Sequence, residues 1–244
     1  MLLRPLLPAA LALAGLVTAA PLRAAPSLQA LQEALNSSSP EVLTTVLEPG
    51  KGLDPDEVAN RRLLLREQFP DASWTVQPGA PLKDGRATTQ ITVAGSREEG
   101  PYRFRFEAQQ QLVLGASGDR FNSQEVIRES SILRSGDSDL KVSLLIPDAV
   151  LTGQRYDVDV VFDEPLDGAV VASALQPVSA ADLLRMRTPD LQLEALGGGG
   201  IFKSAQAPYQ PGTQTWAVLL VHPKGIVAAS KQVKVVADRA ALSF

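Results

Sequence analysis

The chain has 244 residues, 45% of them hydrophobic, with 23 basic and 27 acidic side chains, one histidine and no cysteine. Without thiols there can be no disulfide, thiolate metal or iron–sulfur site, cysteine nucleophile or lipidated cysteine anchor. A formal net charge of −4 gives no global attraction to nucleic acid or to an anionic membrane surface.

Residues 1–24 have the layout of a secretory signal peptide. Arg4 supplies a basic start, residues 6–17 form an uncharged apolar run, and small residues crowd the approach to Ala24 and Ala25. That run is shorter than the ~20 apolar residues of a membrane-spanning helix, so cleavage is expected over an uncleaved anchor. A cut after Ala24 puts Leu22 at −3. A cut after Ala25 would put Arg23 there, and one after Ala20 would put Pro21 at +1. Loss of Arg4 and Arg23 takes the formal charge from −4 to −6. The expectation is an exported, periplasmic protein (lumenal in a thylakoid if the source is photosynthetic), with no membrane span once the leader is removed.

In the mature part, Leu28, Leu31 and Leu35 share one face of a short amphipathic helix. Ser39-Pro40-Glu41 predicts a second helix start with a hydroxyl N-cap, ended by residues 47–50. Asp54-Pro55-Asp56-Glu57 predicts a third, with Glu57 in capping-box position, running to Phe69 and burying Val58, Leu65 and Phe69. Four strands follow, over residues 73–77, 87–94, 102–114 and 121–133. An Asp84-Gly85 turn precedes the second of them. In the third, Tyr102, Phe104 and Phe106 alternate with Arg103, Arg105 and Glu107. The alternation of the fourth breaks at Val126-Ile127 and at Ile132-Leu133, which predicts a bulge or a strand covered on both faces.

Three helices before four strands give an α+β unit, the helices on one face of a curved antiparallel sheet. In element order, and in its long last two strands, residues 26–135 resemble the nuclear transport factor two-like, cystatin-related α+β fold. The strand that usually lies between the second and third helices of that fold has no counterpart in the pattern.

Residues 134–139 are a polar linker. Beyond them, strands are predicted over residues 140–146, 155–162, 168–175, 191–195, 215–222 and 226–236, separated by Pro, Gly and Asp turns. That rhythm favours an all-β sandwich. Residues 179–184 carry a capping pattern for one helical turn. At the level of strand rhythm, residues 140–237 resemble immunoglobulin-like domains of bacterial envelope proteins.

Each candidate site competes with a plainer reading. His222 precedes Pro223-Lys224-Gly225 and reads as a turn residue rather than a catalytic base. Gly197–Gly200 lacks the strand–helix context of a phosphate loop and reads as a flexible loop. Asp157, Asp159, Asp163 and Glu164 could offer oxygen ligands to calcium, but the first two lie on the solvent face of a strand and the EF-hand pattern is absent. No metal and no cofactor is expected. Inside the cone implied by the N-terminal resemblance, Trp74, Val76, Ile91, Val93, Tyr102, Phe104 and Phe106 would form a filled core or a greasy pocket. Only Tyr102 among them carries a titratable group. The ligand-pocket candidates are therefore Trp74, Ile91, Tyr102, Phe104 and Phe106. On the outer face of the long third strand, Arg103, Arg105, Gln109 and Gln111 form a candidate interaction surface, and the resemblance implies contact there with a second copy or a neighbouring domain.

The expected role is a non-enzymatic binding or scaffolding protein of the bacterial envelope, working through protein surfaces or a small apolar pocket. Its partner would be an envelope protein or a second copy, not nucleic acid. The alternative is a cofactor-free hydrolase, isomerase or ligand binder using the N-terminal cone. A third reading has a sheet edge within residues 191–202 pairing with a partner strand.

Overall fold

A computed structural model describes residues 26–136, 140–163, 168–178, 191–196 and 198–242. The leader and the capping pattern at residues 179–184 lie outside them. The first helix, α1 (Leu28–Asn36), is capped by Ser27, whose hydroxyl accepts the backbone N–H of Gln29 and Ala30. It buries Leu31, Ala34 and Leu35.

The second start signal gives only a 3-10 turn over Pro40–Val42 and one α-turn, α2 (Leu43–Val46). Ser39 does not cap it, because its hydroxyl is taken by the Glu41 carboxylate. The third helix, α3 (Pro55–Gln68), is capped by Asp54 as predicted, through the N–H groups of Asp56 and Glu57. The Glu57 carboxylate sits on Arg61 one turn along, at 2.6 Å, which replaces the expected capping box with an i,i+4 ion pair.

Four antiparallel strands follow: β1 (Ser73–Gly79), β2 (Thr88–Glu99), β3 (Tyr102–Ser117) and β4 (Arg120–Ser135). All run longer than the alternation alone implied. The first break in β4 is a bulge. Gln111 faces Arg128 and Leu112 faces Val126, so Ile127 is the extra residue, and it is almost fully buried. The second break is a strand covered on both faces, since Leu133 packs with the helices while Ile132 packs on the opposite side.

The C-terminal half adds β5 (Val142–Leu145), β6 (Ala149–Leu151), β7 (Arg155–Phe162), β8 (Ala172–Val178), β9 (Glu194–Ala195), β10 (Gly200–Gln206), β11 (Gly212–His222) and β12 (Gly225–Val236). Of these, β6 was not predicted as a strand, and β10 was anticipated only as an extended stretch within the expected sheet edge at residues 191–202. β6 is three residues long and pairs parallel with β12. β12 also pairs antiparallel with β4, with Ile226 opposite Ser135 and Lys231 opposite Ser130. One sheet therefore runs β1-β2-β3-β4-β12-β11-β8-β9 across both halves of the chain. A second sheet, β10-β7-β5, stacks on its C-terminal part. Between them lie two apolar clusters, one with Val160, Phe162, Val218 and Val227, the other with Val158, Trp216, Val233 and Val235.

Adjacent strand residues point to opposite faces, so the Ile132/Leu133 pair fixes the layers. The helices cover one face at the N-terminal end, and the three-stranded sheet covers the other face at the C-terminal end. Ahead of β12's point of attachment, residues 47–51 run beside β4. Leu47 bridges Phe121 in parallel, Glu48 N–H donates to the Phe121 carbonyl, and Gln124 N–H donates to the Lys51 carbonyl. Gly50 permits this approach, because a Cβ there would lie 1.7 Å from the Asn122 carbonyl oxygen.

The free edge of β1 is satisfied by side chains of α1. The Asn36 carboxamide donates to the Trp74 carbonyl (2.7 Å) and accepts the Trp74 N–H (2.9 Å), and Gln32 accepts the Val76 N–H (2.8 Å). Two amides thus stand in for a neighbouring strand. Replacing Asn36 with Ala removes both bonds to Trp74 and is expected to cost ~1–2 kcal/mol in urea unfolding with an unchanged slope. An unchanged midpoint would show that the strand edge does not depend on this contact.

Candidate functional site

The helix-side face is filled. Trp74, Val76, Ile91 and Val93 are buried there with Leu31, Leu35, Leu43 and Phe69, and Phe104 and Phe106 pack against them. Phe69 stacks on Phe106 with ring centroids 5.1 Å apart. The Arg97 guanidinium lies over Phe69 and Phe104, and that of Arg66 over Trp74. Among the pocket candidates, Trp74 and Ile91 belong to the buried cluster, and Phe104 and Phe106 line its margin. Tyr102 is not among them: at the strand's first position its side chain is 57% exposed. Besides Arg66 and Arg97, Arg62 of α3 enters this layer and donates to the carbonyls of Ala34 (3.2 Å) and Ser37 (2.7 Å) at the end of α1. Burial pushes the Arg62 guanidinium down from its ordinary value.

The opposite face is polar, and the register arranges it in rows. Gln90, Gln111 and Arg128 lie side by side on β2, β3 and β4. The next row is Thr92, Gln109, Ser130 and Lys231, reaching β12, and the one beyond is Ala94, Glu107, Ile132 and Ala229. Ser96, Arg105, Arg134 and Val227 follow. The four predicted surface residues share this face but not one environment. Arg103 and Gln109 are exposed and Arg105 is half-buried beside Arg134, whereas Gln111 is buried. The Gln111 carboxamide donates to Ala80 O and Thr88 Oγ1 and accepts from Arg128 Nη1 at 3.0 Å.

Where the C-terminal half meets this face there is a recess of about 280 Å³, lined by Gln90, Gln109, Gln111, Arg128, Glu129, Ser130, Asp148 and Lys231. Asp148, just before β6, closes it. Its carboxylate takes Arg128 Nε at 2.7 Å and Lys231 Nζ at 3.0 Å, and its carbonyl accepts the Lys234 N–H. A second ion network lies beside it. Glu125 binds Arg86 Nη1 (2.6 Å) and Lys234 Nζ, and Arg86 Nε binds Asp84 at 2.7 Å in the Asp-Gly turn. Partial burial pushes the Glu125 carboxyl up, but its bonds to Lys234 and Arg86 outweigh this and hold it below the ordinary glutamate range.

The polar alternation of β3 made Gln109 and Gln111 legible, and that of β2 could have supplied Gln90. Arg128, Ser130, Asp148 and Lys231 carried no local signal, because the pairing of β4 with β12 brings them together. His222 ends β11, where its Nδ1 accepts the Lys224 N–H as a turn residue would. Asp157 and Asp159 lie on β7, and Asp163 accepts the Ser143 hydroxyl. Among the described residues no group of three or more His, Cys, Asp or Glu side chains is placed to hold a metal ion. None of the described helices is long and apolar enough to cross a membrane. The stretch expected to hold an open edge contains β9, at the end of the large sheet, and the start of β10, at the end of the small one.

A domain of unknown function (DUF8623) matches residues 137–236. The match begins just after β4 and ends with the last residue of β12. No curated protein matches the chain.

The Glu125 network makes a pH prediction. A carboxylate held below its ordinary value stabilises the fold above the unfolded-state pKa, and that contribution disappears as pH falls through the lowered folded value. Stability should therefore decline in acid below the ordinary glutamate range, and Glu125→Gln should be less stable at neutral pH with a flatter acid limb. Parallel acid limbs for the two proteins in urea unfolding would refute this.

Proposed function

We propose that this is an exported, non-enzymatic binding or scaffolding protein of the bacterial cell envelope. Its N-terminal part is read as a nuclear transport factor two-like unit and its C-terminal part as an immunoglobulin-like sandwich. The observation that carries the reading is the contrast between the two faces of the long sheet. The helix-side face, where a pocket enzyme of this shape would work, is packed with apolar side chains and stacked aromatic rings. The opposite face presents polar side chains from four strands, with Arg103, Glu107 and Gln109 exposed. The leader pattern of residues 1–24 supports export. The interaction surface is accordingly placed around Arg103, Arg105 and Gln109, with Gln111 as a buried support.

Pull-down from envelope extract with the mature chain starting at Ala25 tests the proposal. It should recover a specific protein partner, and the double variant Arg103→Glu/Glu107→Lys should lose it. Both side chains are exposed, so the variant should keep its stability to within ~0.5 kcal/mol. Equal recovery by both proteins, or a small molecule co-purifying with the chain and no protein partner, would overturn the reading.

A further inference from the structure

We propose that the outer edge of β10 receives an extended segment of another protein, with an acidic side chain of that segment set against Lys203. This rests on the reading of the chain as a binding protein, and it names a second surface, in the C-terminal half.

β10 pairs with β7 without a bulge from Gly200 to Gln206, and no described residue pairs with its other edge. The bonds that flank the strand fix which groups face that edge. Phe162 N–H donates to the Gly199 carbonyl, and Ala207 N–H to the Gln154 carbonyl. Odd-numbered residues therefore bond to β7, and even-numbered ones turn their N–H and C=O outward. Gly200, Phe202, Ser204 and Gln206 present a ladder that one further strand can complete. The other sheet ends offer less. The edge of β1 is taken by Asn36 and Gln32, β9 has two residues and β5 has four. β10 has seven, with no proline among them.

The side chains say what would fit. Ile201 and Ala205 pack into the two sandwich clusters. Lys203 lies between them on the same inner side, its Nζ 5.4 Å from the centre of the Trp216 ring. It is exposed and makes no ion pair among the described residues. On the outer side Phe202 is 70% exposed. A strand added here sets one side chain directly opposite Lys203, where an acid is attracted and a cation repelled. The same rule disfavours a second copy of this chain, because antiparallel pairing over all seven residues places Lys203 against its own counterpart. The segment that fits carries an acid with an apolar residue two positions to either side, and a β-branched or aromatic side chain facing Phe202.

The test is titration of the ¹⁵N-labelled mature chain with the capped peptide Thr-Val-Thr-Glu-Tyr-Val-Thr, read by amide correlation spectra and hydrogen exchange. Control peptides replace its glutamate with lysine, or its tyrosine with proline, which has no N–H to donate to the Phe202 carbonyl. In the free protein the Phe202 and Ser204 amides should exchange as open amides. The glutamate peptide should give saturable shifts there and slow their exchange. The lysine peptide should bind about tenfold more weakly, the proline peptide should slow neither amide, and Lys203→Glu should reverse the preference between glutamate and lysine. The proposal is overturned if both amides are already protected without peptide, if the glutamate peptide gives no saturable shifts, if the three peptides bind equally, or if Lys203→Glu leaves the preference unmoved. Shifts that appear with protein concentration alone would give the edge to a second copy and overturn it too. Such a failure beside an Arg103/Glu107-dependent pull-down removes only this edge. A failed pull-down beside a positive titration removes only the Arg103 surface.

Discussion

Everything in this fold depends on both edges of β4 being occupied. One edge pairs with β3 along nearly its whole length. The other is shared by residues 47–51 near its start and by β12 near its end. A strand paired on both sides ties the helical layer to the C-terminal half through main-chain hydrogen bonds. Ser131 and Ser230 reinforce the joint, with their hydroxyls 2.7 Å apart across it. The two halves are continuous at the level of the sheet, and the chain between them need carry no load.

From that joint follows the placement of the layers. Leu133 faces the helices and Ile132 faces the sandwich, so one dipeptide contributes to two apolar cores. Because the covering layers lie on opposite faces, each leaves the other end of its face open. On the sandwich side, that open stretch is the polar face of β2 to β4. Asp148 reaches it from the C-terminal half and draws Arg128 and Lys231 into register. The ion pairs there are partly exposed and add little stability individually. Their consequence is geometric, since they fix the walls of the recess.

The legible parts of the fold were those written in local chemistry. Asp54 and Pro55 announced α3, and the strand predicted over residues 155–162 has the observed limits of β7. The two breaks in the β4 pattern were also informative, one proving to be a bulge and the other a doubly covered stretch. What stayed hidden was set by distant partners. β6 is three residues with no alternation to detect, and β10 showed only as an extended stretch after glycines that read as a loop. Ser39 looked like a helix cap but found a nearer partner in Glu41. Gln111 looked like surface and became buried because Arg128, Thr88 and Ala80 surround its carboxamide. The recess needed the register of β4 against β12, which no local pattern encodes.

A designed disulfide tests that register most directly. The chain has no cysteine, so Ser131→Cys/Ser230→Cys carries only the introduced pair. These residues are direct cross-strand partners, a separation that suits a disulfide. Mild oxidation should close an intramolecular bridge in nearly all molecules, detected by loss of free thiol and faster migration of the unfolded monomer under non-reducing conditions. Free thiols that persist, or bridges that form only between molecules, would contradict a sheet that is continuous through β4 and β12.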